Sequence, residues 1–146
     1  MLTDGEIVMT TGQRIGFTGT QDGMTKAQRS KVCALLVELD PSEFHHGDCI
    51  GADSQAHQIA DGLSIPICIH PPDDERKRAF CGDAQEIRAP LPYLVRNREI
   101  VAWSDVLIAT PKSSKEELRS GTWSTVRRAR EAGKPTYIVL PSGELL

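Results

Sequence analysis

Residues 14–39 read RIGFTGTQDGMTKAQRSKVCALLVEL and contain the parts of one α/β unit. The first five residues alternate in polarity, which is typical of a strand, and a glycine-bearing loop follows them. Thr25 and Gln28 then match the S/T-x-x-E/Q pattern that begins a helix. Apolar residues behind this box recur with spacing i, i+3, i+4, i+7 and form one helix face, and Asp40-Pro41 ends the helix.

The same alternation continues along the chain. Predicted strands are residues 14–18, 43–46, 65–70, 106–109 and 136–140, and predicted helices are residues 25–39, 52–63, 93–103 and 122–132. Such an order indicates an α/β fold, a doubly wound parallel sheet of five strands with helices on both faces and strand order 3-2-1-4-5. A ligand is then expected at the carboxyl ends of the strands, beside the switch between strands 1 and 4.

One domain is expected over residues 14–141, preceded by an N-terminal extension (1–13) and followed by a short tail (142–146). Residues 71–92 show no clear period. A loop of that length inside a small domain is unusual and often functional.

Composition narrows the class of protein. The chain has 146 residues, of which 39% are hydrophobic and 25% charged, as in ordinary globular domains. It contains no apolar run long enough to span a membrane and no signal-peptide pattern, so we expect a cytoplasmic protein with no membrane partner. The net charge of −3 disfavours a nucleic-acid partner. Charge is uneven, however, because residues 1–74 carry 4 basic and 11 acidic side chains.

The four cysteines are widely spaced. They stand at Cys33, Cys49, Cys68 and Cys81, without a C-x-x-C pair. This is not the spacing of zinc motifs, and a chain without a leader is not expected to form disulfides. From the sequence we therefore expect no metal site and no cofactor.

Three loops follow predicted strands and precede predicted helices: 19–23, 47–51 and 120–122. Each places glycine or hydroxyl residues beside a helix N-terminus, where free backbone N–H groups favour phosphate. Tight turns alone would also explain the glycines. Neither G-x-G-x-x-G nor G-x-x-x-x-G-K-[ST] is present, which disfavours a standard dinucleotide fingerprint and a Walker A site.

Three segments resemble known sequences. Residues 95–109, VRNREIVAWSDVLIA, resemble the R-N-R stretch of DNA-processing protein A and of the YspA-like proteins. Residues 46–53, HGDCIGAD, resemble the H-G-G-A-x-G-A-D loop of the YspA-like proteins, and residues 120–135, SGTWSTVRRAREAGKP, resemble their G-x-G-T…V-R-x-A-R-x-A-G-x-P segment. Over roughly residues 14–141 the chain thus resembles the SLOG superfamily, which also includes the lonely-guy-type nucleotide phosphoribohydrolases.

The resemblance implies a Rossmann-like fold that binds a nucleotide or nucleotide-derived ligand at its strand ends. Carried over by position, the expected ligand-binding residues are Gly19, Thr20, Gly47, Asp48, Gly51, Arg96, Gly121 and Thr122. Arg96 matches the arginine that the phosphoribohydrolases use with their nucleotide, and Arg98 is expected to point elsewhere. Ser124 and Thr125 stand where those enzymes carry glutamates, so we expect little phosphoribohydrolase activity.

Other residues offer alternative chemistry. The candidates for catalysis are Asp48, Asp53 and Arg96; Asp53 also fits a first-turn acid that stabilises the helix dipole. His46, at the end of the second strand, is either a general base or a structural histidine. Trp123, just after a loop, is either a stacking platform for a base or a core residue.

The sequence leaves three functions open. The first is binding of a phosphorylated nucleoside or ADP-ribose-type ligand, as a sensor or sequestering module. The second is hydrolysis of a nucleotide N-glycosidic bond with Asp48 or Asp53, and the third is single-stranded DNA binding through residues 76–78 and 127–130. We also expect a homo-oligomer, because members of the superfamily commonly self-associate.

Overall fold

The computed structural model describes residues 12–146. Its strands are β1 (Arg14–Gly19), β2 (Glu43–His46), β3 (Ile67–Ile69), β4 (Glu86–Ile87), β5 (Val106–Thr110) and β6 (Thr136–Ile138). Its α-helices are α1 (Lys26–Leu39), α2 (Ala52–Gly62), α3 (Tyr93–Trp103) and α4 (Gly121–Glu131), and one 3-10 turn spans Glu75–Lys77. Residues 1–11 of the predicted N-terminal extension lie outside the described residues.

The strands form one parallel sheet with the order β4-β3-β2-β1-β5-β6. The arrangement of the five predicted strands is confirmed, but the count of five is wrong. The sixth strand, β4, lies within the segment predicted to be a long loop and pairs beside β3, with Cys68 opposite Glu86. Two exposed residues are too few to produce a hydrophobic period, so only pairing with β3 defines this strand.

Helix α1 begins as its sequence predicts. The Thr25 hydroxyl accepts a hydrogen bond from the Gln28 amide, and the Gln28 side chain accepts one from the Thr25 amide. The side-chain nitrogen Nε2 of Gln28 also donates to the carbonyls of Pro111 and Val139. These two hydrogen bonds fix the helix against the carboxyl ends of β5 and β6. Asp40 ends the helix with a φ of 45°, in the left-handed region.

Each face of the sheet carries its own apolar layer. Helices α1 and α2 cover one face, where Phe17, Phe44 and Ile108 are fully buried. Helices α3 and α4 cover the other face, where Leu107, Ala109 and Trp123 pack together. Successive residues of β5 therefore alternate between two cores, which explains why the strand is apolar throughout.

The segments outside the regular elements are also held by hydrogen bonds. Residues 142–146, predicted to be a tail, return onto β6, where the Leu146 amide donates to the Ile138 carbonyl. In residues 71–92 the Ala79 amide donates to the Asp48 carbonyl. No helix among residues 12–146 is long and apolar enough to cross a membrane.

Candidate functional site

A cleft of about 200 Å³ lies at the carboxyl ends of β1 and β5, at the predicted switch point. Its lining residues come from the β1–α1 loop, the β5–α4 loop and the first turns of α3 and α4: Gly19, Thr20, Gln21, Tyr93, Lys112, Glu117, Ser120, Gly121 and Thr122. Two of the three loops predicted to bind phosphate therefore meet in one cleft. A larger depression of about 450 Å³ lies between the first turns of α1 and the middle of α2, and none of its lining residues belongs to a strand.

Backbone N–H groups in the cleft are free. Ser120 caps α4 by accepting a hydrogen bond from the Trp123 amide. Among the described residues the amides of Gln21, Gly121 and Thr122 have no hydrogen-bond acceptor, although all three residues line the cleft. Free amides at a helix N-terminus attract anions because the dipoles of the helix add to their partial positive charge.

The charges of the cleft stand on exposed side chains. Lys112 Nζ lies 3.0 Å from the Asp22 carboxylate, and this ion pair raises the pKa of the lysine above its ordinary value. Both partners are exposed, so the pair is weak and leaves Lys112 available to an anion. Glu117 is an acid in the lining, and its charge opposes the binding of phosphate.

Packing explains the glycines that the resemblance identified. A Cβ atom on Gly19 would overlap Thr110 and Ala52, and one on Gly121 would overlap the Tyr93 hydroxyl. Gly51 has a φ of +98°, and its Cα faces the Gln21 backbone. These glycines are required by close approach within the protein, which is independent of any ligand.

The second glycine loop, residues 47–51, lies beneath the cleft rather than on it. Asp48, with no exposed surface and a φ of 55°, accepts hydrogen bonds from Arg78 Nε at 2.9 Å and from the Cys81 amide at 2.9 Å. Its carboxylate therefore fixes residues 78–81 and does not line the cleft. Gly47 is also buried, against Arg96.

Asp53 is a buried carboxyl group on the first turn of α2. One oxygen accepts a hydrogen bond from the Cys49 amide at 3.1 Å, while the other has no partner among the described residues. Burial raises the pKa of Asp53 to about 6, and the nearby Arg96 guanidinium opposes this rise. The cavity beside it holds only about 10 Å³, so it admits no sugar.

Arg96 is 2% exposed and engaged by the protein. Nη1 donates to the carbonyls of Gly47 and His70, and Nε donates to the Asn97 side chain at 2.8 Å. Nη2 contacts the Cys49 thiol at 3.5 Å. The direct ligand contact predicted for Arg96 therefore does not fit this arrangement, since the guanidinium is used to hold the buried loop. Arg98 is exposed on the same helix.

The aromatic and histidine candidates are in the interior. Trp123 is 1% exposed and belongs to the core, so the hypothesis that it stacks on a base is wrong. His46 is fully buried: Nδ1 accepts a hydrogen bond from the Asp48 amide, and Nε2 contacts His57 Nδ1 at 2.8 Å. Burial lowers the pKa of His46 well below 6.5, and no substrate can reach its ring. The structure supports the structural role of this histidine.

Sequence reasoning missed the side chains that complete the cleft. Tyr93, Lys112 and Glu117 line it without belonging to any motif. Lys112 could have been predicted from the sequence. It lies two residues after the end of β5, and the carboxyl ends of parallel strands meet at one edge of the sheet. The chain is thus a Rossmann-like α/β domain whose cleft lies at the topological switch of the sheet.

Solved structures share this fold. The molybdenum cofactor binding protein of the phototrophic bacterium Rippkaea orientalis is 22% identical, with a TM-score of 0.67 over 88% of this chain and 77% of that one. DNA processing protein A of Streptococcus pneumoniae is 20% identical, with a TM-score of 0.63 over 87% of this chain and 50% of that one. The structure of TM1055 is 13% identical, with a TM-score of 0.62 over 85% of this chain and 72% of that one.

These neighbours confirm the predicted Rossmann-like fold, and the likeness to the SLOG superfamily stays a prediction. At such low identities the likeness establishes the shared fold alone. No protein-family model matches the chain, and no curated protein matches its sequence. This chain corresponds to about half of the length of the DNA processing protein.

Proposed function

We propose that this protein binds a phosphorylated nucleoside or ADP-ribose-type ligand in the cleft between β1 and β5, as a sensor or sequestering module. The observation that carries the proposal is that Gln21, Gly121 and Thr122 line one cleft and that their backbone amides have no acceptor among residues 12–146. A phosphate placed there accepts hydrogen bonds from the backbone and faces the N-terminus of α4. Lys112 at the rim supplies a positive charge.

The size of the cleft supports a phosphate-anchored ligand. Pockets that enclose a whole drug-sized molecule hold about 300–1,000 Å³. This cleft holds about 200 Å³, which suits a phosphate and part of a sugar. The base of the nucleotide would then extend along the surface, so the phosphate contributes most of the recognition.

Binding is better supported than hydrolysis. A carboxylate that stabilises positive charge on a ribose must touch the sugar. Asp48 uses both oxygens to hold residues 78–81, and Asp53 lies beside a cavity of only about 10 Å³. The hydrolase alternative therefore requires the loops over Asp53 to open.

The single-stranded DNA alternative has less support from the surface. Arg78 pairs with the buried Asp48, so one of the three cations in the predicted basic loop holds the interior, whereas the exposed Arg76–Asp74 pair is weak. Arg127 likewise pairs with Glu116. The likeness to DNA processing protein A concerns the fold alone. Another neighbour is a molybdenum cofactor binding protein, so a cofactor-type ligand is an alternative occupant of the cleft.

The experiment uses adenosine monophosphate and ADP-ribose as probes in isothermal titration calorimetry, with adenosine as the control that lacks phosphate. Native mass spectrometry of the purified protein first identifies any co-purified nucleotide. We expect binding of at least one phosphorylated probe and no measurable binding of adenosine. Equal affinity for adenosine and adenosine monophosphate would contradict the phosphate anchor. Tight, salt-dependent binding of single-stranded DNA, with no nucleotide binding, would support the DNA alternative instead.

Two rim variants locate the site. Lys112→Ala should weaken binding about fivefold because an exposed charge interaction is worth at most about 1 kcal/mol. Glu117→Gln should strengthen binding because it removes the acid from the lining. Lys115→Ala is the matched control, since this exposed lysine belongs to the same loop but does not line the cleft. If all three variants bind like the unmodified protein, the ligand lies elsewhere.

A further inference from the structure

Three potential metal ligands meet on the face of the sheet that α3 covers. His45 of β2 lies opposite Cys68 of β3, and His70 follows two residues after Cys68, on the same side. His45 Nδ1 and His70 Nε2 are 2.8 Å apart, and the Cys68 sulfur lies 3.6 Å from His70 Nε2. All three residues are at most 5% exposed. Neighbouring strands thus bring together residues that are 23 and 2 positions apart in the sequence.

The hydrogen bonds around this cluster determine where the imidazole protons lie. His45 Nε2 is 2.9 Å from the Glu43 carboxylate, and His70 Nδ1 is 2.5 Å from the Glu99 carboxylate. An ionised carboxylate only accepts hydrogen bonds, so each outer ring nitrogen carries the proton of its neutral ring. The inner nitrogens then face each other with two lone pairs at 2.8 Å, which is repulsive unless a positive species lies between them.

A second pair of buried histidines provides an internal comparison. The Asp48 amide donates to His46 Nδ1, so the proton of that ring lies on Nε2 and is donated to His57 Nδ1. This chain of hydrogen bonds runs in one direction and is complete without a cation. Cys81 lies near enough to form a similar ligand group there, but the hydrogen bonds do not require one.

We propose that His45 Nδ1, His70 Nε2 and Cys68 Sγ bind a transition-metal dication of the Zn²⁺ class. Zinc–nitrogen and zinc–sulfur bonds of about 2.0–2.1 and 2.3 Å at tetrahedral angles place two nitrogens ~3.3 Å apart and nitrogen and sulfur ~3.6 Å apart. The nitrogen–sulfur separation already has this value, and the two rings must separate by only ~0.5 Å.

The surroundings of the three ligands suit a dication. Glu43 and Glu99 accept the outer N–H groups, as carboxylates commonly do behind zinc-bound histidines. These two carboxylates and a thiolate bring three negative charges, while Arg88 is shared between Glu86 at 3.0 Å and Glu99 at 3.8 Å. The negative excess around the ligands favours a dication.

The site has a route to solvent. A cavity of about 280 Å³ opens beside the cluster and is lined by Glu43, Ile67, Cys68, Gln85 and Glu86. Glu43 and Ile67 begin their strands, so this cavity opens toward the amino ends of β2 and β3, opposite the edge that carries the nucleotide cleft. Three protein ligands and a reachable fourth position describe a site that keeps water or a small ligand on its metal. The proposal does not depend on nucleotide binding.

The test uses tag-free protein. Zn²⁺ affinity is measured by competition with a chromophoric chelator, and Co²⁺ titration reports the thiolate through its charge-transfer absorption. We expect one equivalent of metal, a thiolate–cobalt band, and at least a 100-fold loss of Zn²⁺ affinity in Cys68→Ser. Cys81→Ser, in the comparison cluster, should bind as the unmodified protein does. Circular dichroism verifies that the variants are folded.

Glu99→Gln separates positioning from ligation. It keeps all three ligands but replaces the carboxylate behind His70, so we expect a 10- to 100-fold lower affinity with the thiolate–cobalt band retained. Failure of the unmodified protein to bind Zn²⁺ or Co²⁺ would overturn the proposal and leave a shared proton between the two rings. Equal affinity of Cys68→Ser and the unmodified protein, or loss in Cys81→Ser alone, would overturn it too.

Discussion

Asp53→Asn should remove a pH-dependent cost of burying a carboxylate. The pKa of Asp53 is raised from 3.8 to about 6 in the folded protein, mainly by burial. The folded state therefore holds this proton more tightly than the unfolded chain, so the contribution to stability is present below about pH 3.8 and is lost as the pH rises through about 6. At 1.36 kcal/mol per pKa unit the full loss is about 3 kcal/mol, and most of it falls between pH 4 and pH 8.

The assay is urea unfolding of Asp53→Asn and the unmodified protein at intervals between pH 4 and pH 8. The difference in free energy of unfolding between the two proteins cancels the titration of the buried histidines, which both proteins share. With an m-value of about 2 kcal/mol/M, the difference in midpoint should change by about 1 M urea across this range, in favour of the variant at high pH. Asp61→Asn, an exposed position on the same helix, is the control with no buried carboxylate to ionise. A pH-independent difference for Asp53→Asn would show that Arg96 fully offsets the burial.

Three further outcomes test the packing and the chemistry of the strand-end loops. In chemical denaturation Gly51→Ala should lower the free energy of unfolding by about 1–3 kcal/mol, because Gly51 has a positive φ and its Cβ would meet the Gln21 backbone. Gly62→Ala, where a Cβ meets nothing within 4 Å, should be neutral or stabilising by at most about 1 kcal/mol, and equal effects of the two variants would contradict this explanation. Arg96→Ala should lower the thermal midpoint more than Arg98→Ala because only Arg96 is buried and hydrogen-bonded; the reverse order in a thermal melt would refute its positioning role. Chromatography should detect no adenine released from adenosine monophosphate, since the resemblance predicts Ser124 at the position of a phosphoribohydrolase glutamate and a hydroxyl stabilises little positive charge; robust turnover would favour the hydrolase alternative.

Strands and helices were predictable wherever the sequence carries a local signal for the element that the fold contains. The capping box at Thr25 and the apolar runs of β3 and β5 are local signals, and each formed the predicted element. Strand β4 was not predicted, because its two exposed residues show no hydrophobic pattern. Its place in the sheet depends on hydrogen bonds with β3, from which 16 residues of the chain separate it.

The site was only partly predictable, since a motif gives the order of residues along the chain and not the direction in which each side chain points. The loops at Gly19 and Gly121 were found from glycines after strands, and the structure brings them into one cleft. Asp48 and Arg96 were found by the same reasoning but point into the interior, where each holds a neighbouring segment. Lys112 carries no motif and was missed, although it reaches the rim of the cleft.

By itself the sequence determined the order of the five longer strands and the four helices, and the edge of the sheet where two glycine loops meet. Those properties depend on hydrophobic period and turn chemistry, which act over a few residues. Only the tertiary structure decided which polar groups are buried and which face one another. His45, Cys68 and His70 meet because parallel strands align in register, and the spacing of cysteines along the chain carries no record of that register.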